Sequence, residues 1–70
     1  MHRFLVVIEE AESGYSAYSP DLPGCIATGS SREEAERRMA EAMQVHIEGL
    51  REDQLPIPVS RSSAEYIAVA

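Results

Sequence analysis

Apolar residues fall into short runs and one long stripe, set apart by charge, glycine and proline. Phe4-Leu5-Val6-Val7-Ile8 is an unbroken apolar run, rich in β-branched residues and closed by Glu9-Glu10. Such a run predicts a strand buried on both faces, hence a central place in a sheet. Glu12-Ser13-Gly14 supplies a turn, and Tyr15 to Ser19 alternates aromatic with small residues. That pattern predicts a second strand paired with the first as a hairpin. Pro20 and Pro23 then break the ladder, because proline has no backbone donor. Pro23-Gly24 suits the centre of a type II turn, whose second central residue takes positive φ. Cys25-Ile26-Ala27-Thr28 reads as a third strand, stopped by Gly29.

The pattern then changes from a period of two to one near 3.6. Ala35, Met39, Ala42, Met43, His46, Ile47 and Leu50 form one stripe on a helix running from Arg32 to Leu50 or Glu52. Two capping boxes overlap at its start, Ser30 with Glu33 or Ser31 with Glu34. Glu33 with Arg37 and Glu34 with Arg38 are i,i+4 ion pairs in the favourable order, each worth about 0.2–0.5 kcal/mol. Gly49 weakens the last turn or marks its cap, and Glu52-Asp53 opposes the helix dipole, which predicts an end near or before them. Leu55-Pro56-Ile57-Pro58-Val59 is an extended connector. Glu65-Tyr66-Ile67-Ala68-Val69-Ala70 alternates and predicts a fourth strand.

The expected architecture is a single domain over residues 1–70. It is an α+β two-layer sandwich, β-β-β-α-β, with a mostly antiparallel sheet and one helix on one face. One helix leaves the other face of the sheet bare, so that face or a strand edge needs cover. The topology therefore predicts a homo-oligomer, with a dimer as its simplest form.

Composition sharpens this. The 70 residues carry twelve carboxylates against six arginines and no lysine, a net charge of −6. A chain this short buries only roughly 60% of its unfolded surface and usually needs a disulfide, a metal or a partner subunit. A lone cysteine, Cys25, closes no intrachain disulfide and fits a reducing cytoplasm. His2 and His46 stand isolated, so no metal and no cofactor is expected. The acidity argues against direct nucleic-acid contact and for a basic protein partner. Met1-His2-Arg3 and the short apolar run behind it are too brief for a signal sequence or a membrane span, which places the protein in the cytoplasm.

Enzymatic readings are weak. Cys25 with His46 as base lacks an orienting acid, and a free cysteine is usually a buried small hydrophobe. Glu9, Glu10, Glu12 and Asp21 resemble a magnesium cluster only loosely, since a nuclease site of that kind places a carboxylate inside the first strand, where Phe4 to Ile8 is wholly apolar. Arg32, Arg37 and Arg38 each have a glutamate nearby and read as a solvated helix face. For Asp21, an Asx-type turn residue is the alternative to a partner contact.

The stretch Tyr15…Pro20-Asp21-Leu22-Pro23-Gly24-Cys25…Thr28-Gly29-Ser30-Ser31-Arg32-Glu33-Glu34-Ala35 resembles the HicB-like antitoxin family, whose pattern is an aromatic strand, then P-D-L-P-G-C, then S-x-E-E-A opening a helix. Leu55-Pro56-Ile57-Pro58 is similar to the family's segment after the helix. The resemblance implies a partial RNase H-like or double-stranded-RNA-binding-domain-like fold. It also implies a non-enzymatic role, binding and neutralising HicA, a small basic toxin that cleaves messenger RNA. In this motif Pro20, Asp21, Leu22, Pro23, Gly24, Cys25, Ser31 and Glu34 are structural. Family members usually add a C-terminal DNA-binding module. The sequence ending at Ala70 leads us to expect a stand-alone core without autoregulation, or an orphan homo-oligomer with a structural or regulatory role and no toxin. Glu9, Glu10, Glu12 and Asp21 are the expected partner-binding residues, because no basic residue lies between Arg3 and Arg32.

Overall fold

The computed structural model, which describes residues 2–70, forms a three-stranded antiparallel sheet with one long helix across one face. Strands β1 (Val7–Ala11), β2 (Gly14–Tyr18) and β3 (Ile26–Gly29) lie in that spatial order, followed by helix α1 (Arg32–Glu52). The tight turn before β2 depends on Gly14 at φ 114°. The register sets Val7 opposite Tyr18 and Ala11 opposite Gly14, then Tyr18 opposite Ile26 and Ala17 opposite Ala27. Ile8, Ala17 and Ala27 thus share the face under the helix, where Ala17 is buried. The core joins Ala17, Leu22 and Cys25 to Ala35, Met39 and Ile47 of the helix. The α+β class expected from the sequence holds.

Two strand expectations are corrected. The run Phe4–Ile8 is half-buried, and its strand lies at an edge of the sheet rather than the centre. Its ladder starts only at Val7, because β2 ends opposite at Tyr18 and the chain turns away through Ser19-Pro20. The fourth strand does not form within the chain. Glu65 to Ala70 has no ladder and is exposed, with Tyr66, Ile67 and Val69 all more than four-fifths accessible. Its alternation is strand-like, but among the described residues no strand pairs with it. The radius of gyration is 13.5 Å, against about 11 Å for a compact chain of this length. The molecule measures 47 × 28 × 19 Å.

The helix follows its sequence signals closely. Of the two capping boxes the second is realised: Ser31 is the N-cap and its hydroxyl accepts from the Glu34 backbone N–H at 3.1 Å. The Glu34 carboxylate reaches back one residue further than the usual box and accepts from the Ser30 N–H at 2.8 Å. Glu34 also faces Arg38 at 3.7 Å and Arg37 at 3.9 Å, so Arg37 pairs with Glu34 rather than with Glu33. The helix runs to Glu52 and closes beyond Gly49. Leu55 N–H donates to the Leu50 carbonyl and Gln54 N–H to the Arg51 carbonyl, with Gln54 at φ 55°. This is a Schellman cap with glutamine where glycine is usual.

Candidate interaction site

The loop between β2 and β3 is built from the P-D-L-P-G-C motif. Leu22 N–H donates to the Ser19 carbonyl and Cys25 N–H to the Leu22 carbonyl, with Gly24 at φ 82° completing the second turn. These turns swing Leu22 inward, where it is fully buried. Pro20, Pro23 and Gly24 stay on the surface as backbone geometry.

Asp21 does something the sequence did not suggest. Its Oδ2 accepts from the backbone N–H groups of Arg61 and Ser62 at 3.0 Å each, and its Oδ1 accepts from the Ser62 hydroxyl at 3.0 Å. It holds the segment after the helix rather than capping its own turn. The Ser62 N–H bond, foremost, keeps the Asp21 carboxyl below the usual carboxylate range. No local signal in the sequence announces a pairing across such a separation.

Asp21 is also far from the other expected partner-binding residues. Glu9 and Glu10 lie on β1, and Glu12 lies in the hairpin turn before β2. Asp21 follows β2 at its opposite end. The three glutamates are exposed and cluster at the hairpin end, whereas both Asp21 oxygens serve its own chain.

Cys25 and His46 line one shallow cleft beside Arg38 and Glu41. Burial pushes the Cys25 thiol up, which disfavours the thiolate a nucleophile needs. Among the described residues, no group of three or more histidine, cysteine or carboxylate side chains is placed to hold a metal.

Two surfaces remain uncovered. The sheet face away from the helix carries a cross-strand row, Val7–Tyr18–Ile26, in which Tyr18 is 40% and Ile26 69% exposed. A polar row, Glu9–Ser16–Thr28, runs beside it toward the acidic hairpin end. Apolar side chains on an open face next to a charged rim have the composition of a protein-binding surface. This row went unnoticed in the sequence, although the period-two alternation of β2 and β3 contains it. The second surface is a groove of about 660 Å³ between β1 and α1. Helix α1 packs mainly on β3 and β2 and only lightly on β1, so Phe4, Val6 and Ile8 face Ala40, Met43 and Ile47 across an opening.

No described helix is long and apolar enough to cross a membrane. The model of the HicB_like antitoxin of bacterial toxin-antitoxin systems matches residues 4–69. A 14.9 kDa protein from the rep-hol intergenic region of Haemophilus phage HP1 is 39% identical over 62 residues, covering 89% of this chain but 47% of that protein. The chain thus spans about half the length of the phage relative. A UPF0150 protein of Helicobacter pylori is 40% identical over 57 residues, with 81% of this chain and 79% of that one covered. A UPF0150 protein of Thermoplasma acidophilum is 37% identical over 68 residues, 96% of each chain. A chain of the solved HicA3 and HicB3 toxin-antitoxin complex superposes with a TM-score of 0.68 at 27% identity, covering 84% of this chain and 72% of that one. With its signature loop, its capped helix and this match over nearly all its length, the chain belongs to the HicB-like antitoxins of bacterial toxin–antitoxin systems.

Proposed function

We propose that this protein binds a small basic HicA-type toxin that cleaves messenger RNA, and silences it by covering its active surface. The observation that carries the reading is the likeness to a chain from a HicA–HicB complex. The net charge of −6 supports it, as does the uncovered row Val7–Tyr18–Ile26 beside Glu9. Glu9, Glu10 and Glu12 steer the basic partner, and the apolar row supplies its residence. Asp21 supports the loop instead of touching the partner. In this reading residues 1–70 act as one cytoplasmic domain, without catalysis of their own and without direct contact to nucleic acid. Co-expression with a neighbouring small basic gene product tests it. The pair should co-purify, and the antitoxin should restore growth; a pair that does neither overturns the proposal.

A second reading is a homo-oligomer that has no toxin. The exposed segment Tyr66–Val69 favours self-association.

A further inference from the structure

The groove beside β1 and the exposed segment Glu65–Ala70 are complementary, and we propose that two copies of this chain exchange them. Residues 65–70 of each copy lie along the free edge of β1 of the other, forming the fourth strand that neither copy makes for itself. This deepens the self-association reading above, rests on it, and holds with or without a toxin.

Several observations converge. β1 is paired on one side only, so its other edge presents unpaired backbone groups. Residues 4–6 precede its ladder and are half-buried without a strand partner. The helix leaves the inner side of β1 under-covered, and the opening is lined by Phe4, Val6, Ile8 and Met43. A strand added at this edge would place alternate side chains into that opening. In the segment 65–70, Ile67 and Val69 share one face, and they are 81% and 89% exposed. Six residues in extended form reach about 20 Å, enough to run alongside residues 4–9 and so past Phe4, Val6 and Ile8. Tyr66 falls on the opposite side of the segment and would extend the apolar row of the open face. Glu65, at the start of the segment, meets a groove whose rim holds Arg32 and Arg51 against the single carboxylate of Glu36.

The Asp21 carboxylate explains why the segment is on offer. Its bonds to Arg61 and Ser62 fasten the chain just upstream, and everything after Ser62 stands away from the body of the protein. The tether fixes the base of the arm, and no residue of the arm belongs to the hydrophobic core cluster of its own copy.

Light scattering on the 70-residue chain, at micromolar concentration, is the first measurement. The expected mass is twice the 7.7 kDa of one chain. The double variant Ile67→Asp/Val69→Asp should halve that mass while leaving the helical circular dichroism unchanged, since neither side chain packs on its own copy. Ala40→Glu, on the groove side, should do the same. Mixing the two monomeric variants should restore a dimer through the one exchange still intact. A wild-type monomer would overturn self-association altogether, including the case in which the arm folds back on its own β1 and its amides are protected from exchange. A dimer that survives Ile67→Asp/Val69→Asp would overturn the strand exchange while leaving self-association standing.

Discussion

Asp21 and Ser62 are joined by two hydrogen bonds, from the Ser62 N–H to Oδ2 and from the Ser62 hydroxyl to Oδ1, each 3.0 Å long. They connect the loop between β2 and β3 to the segment that follows the helix, and with the Arg61 N–H they satisfy a whole carboxylate within one chain. The P-D-L-P-G-C loop of this chain is therefore a tether as well as a turn.

The tether should respond to pH in a defined direction. The Asp21 carboxyl is held below its ordinary value, mainly by the Ser62 N–H, so its contribution is fully present above the unfolded carboxylate pKa and fades as pH falls through the lower folded value. Hydrogen exchange at the Ser62 amide, taken relative to its intrinsic rate at each pH, should quicken across that acid range in the wild type. In Asp21→Ala it should be fast already at neutral pH and show no such transition. Equal protection in the two proteins would refute the tether.

Two glycines with positive φ should differ in their tolerance of alanine. A Cβ on Gly14 would clash with the Gly29 carbonyl oxygen, whereas one on Gly24 meets nothing within 4 Å. Gly24→Ala bears only the backbone cost of a left-handed conformation, about 1–2 kcal/mol. Gly14→Ala adds displacement of the neighbouring strand, on the order of a further 1–3 kcal/mol. Urea denaturation of both variants checks the order, which matters more than either value.

Leu22 should behave as a core residue although it sits in a loop. It is as fully buried as Met39 on the helix, so Leu22→Ala and Met39→Ala should each cost about 2–5 kcal/mol. Val45, 68% exposed on the same helix, should lose less than about 0.5 kcal/mol on truncation to alanine.

The contrast between Leu22 and Tyr66 shows what was legible in the sequence. Leu22, the type II turn at Pro23-Gly24 and the Ser31–Glu34 cap are set by interactions within a few residues, and all were readable. Phe4–Ile8 misled because continuous apolarity signals burial without saying what supplies it; here the edge of β1 faces a groove. Glu65–Ala70 has the alternation of a strand, but alternation does not specify a partner, and none of the described strands pairs with it. Asp21 and Ser62 were unreadable for a related reason: their pairing depends on where the chain goes after the helix ends.

That end itself is improvable. Gln54 holds φ at 55°, a conformation that strains any residue with a Cβ. Glycine relieves the strain and gives back part of the gain through a more disordered unfolded chain, leaving about 0.5–1 kcal/mol. Gln54→Gly should therefore raise the thermal midpoint. An unchanged or lowered midpoint would mean that the glutamine side chain contributes something beyond the cap.

Charge and apolar surface should divide the work of partner binding between the two rate constants. Glu9, Glu10 and Glu12 are exposed at one end of the sheet, where long-range attraction acts before contact. Changing all three to glutamine should lower the association rate for a basic toxin and flatten its dependence on salt, with little effect on dissociation. Tyr18 and Ile26 lie on the open face, where a docked partner would exclude water. Truncating both to alanine should speed dissociation on the order of tenfold, the consequence of losing about 1.4 kcal/mol of buried contact. Surface-bound kinetics at two ionic strengths separate the effects. If the glutamine variant kept the wild-type association rate and salt slope, the hairpin end would not be where the partner arrives.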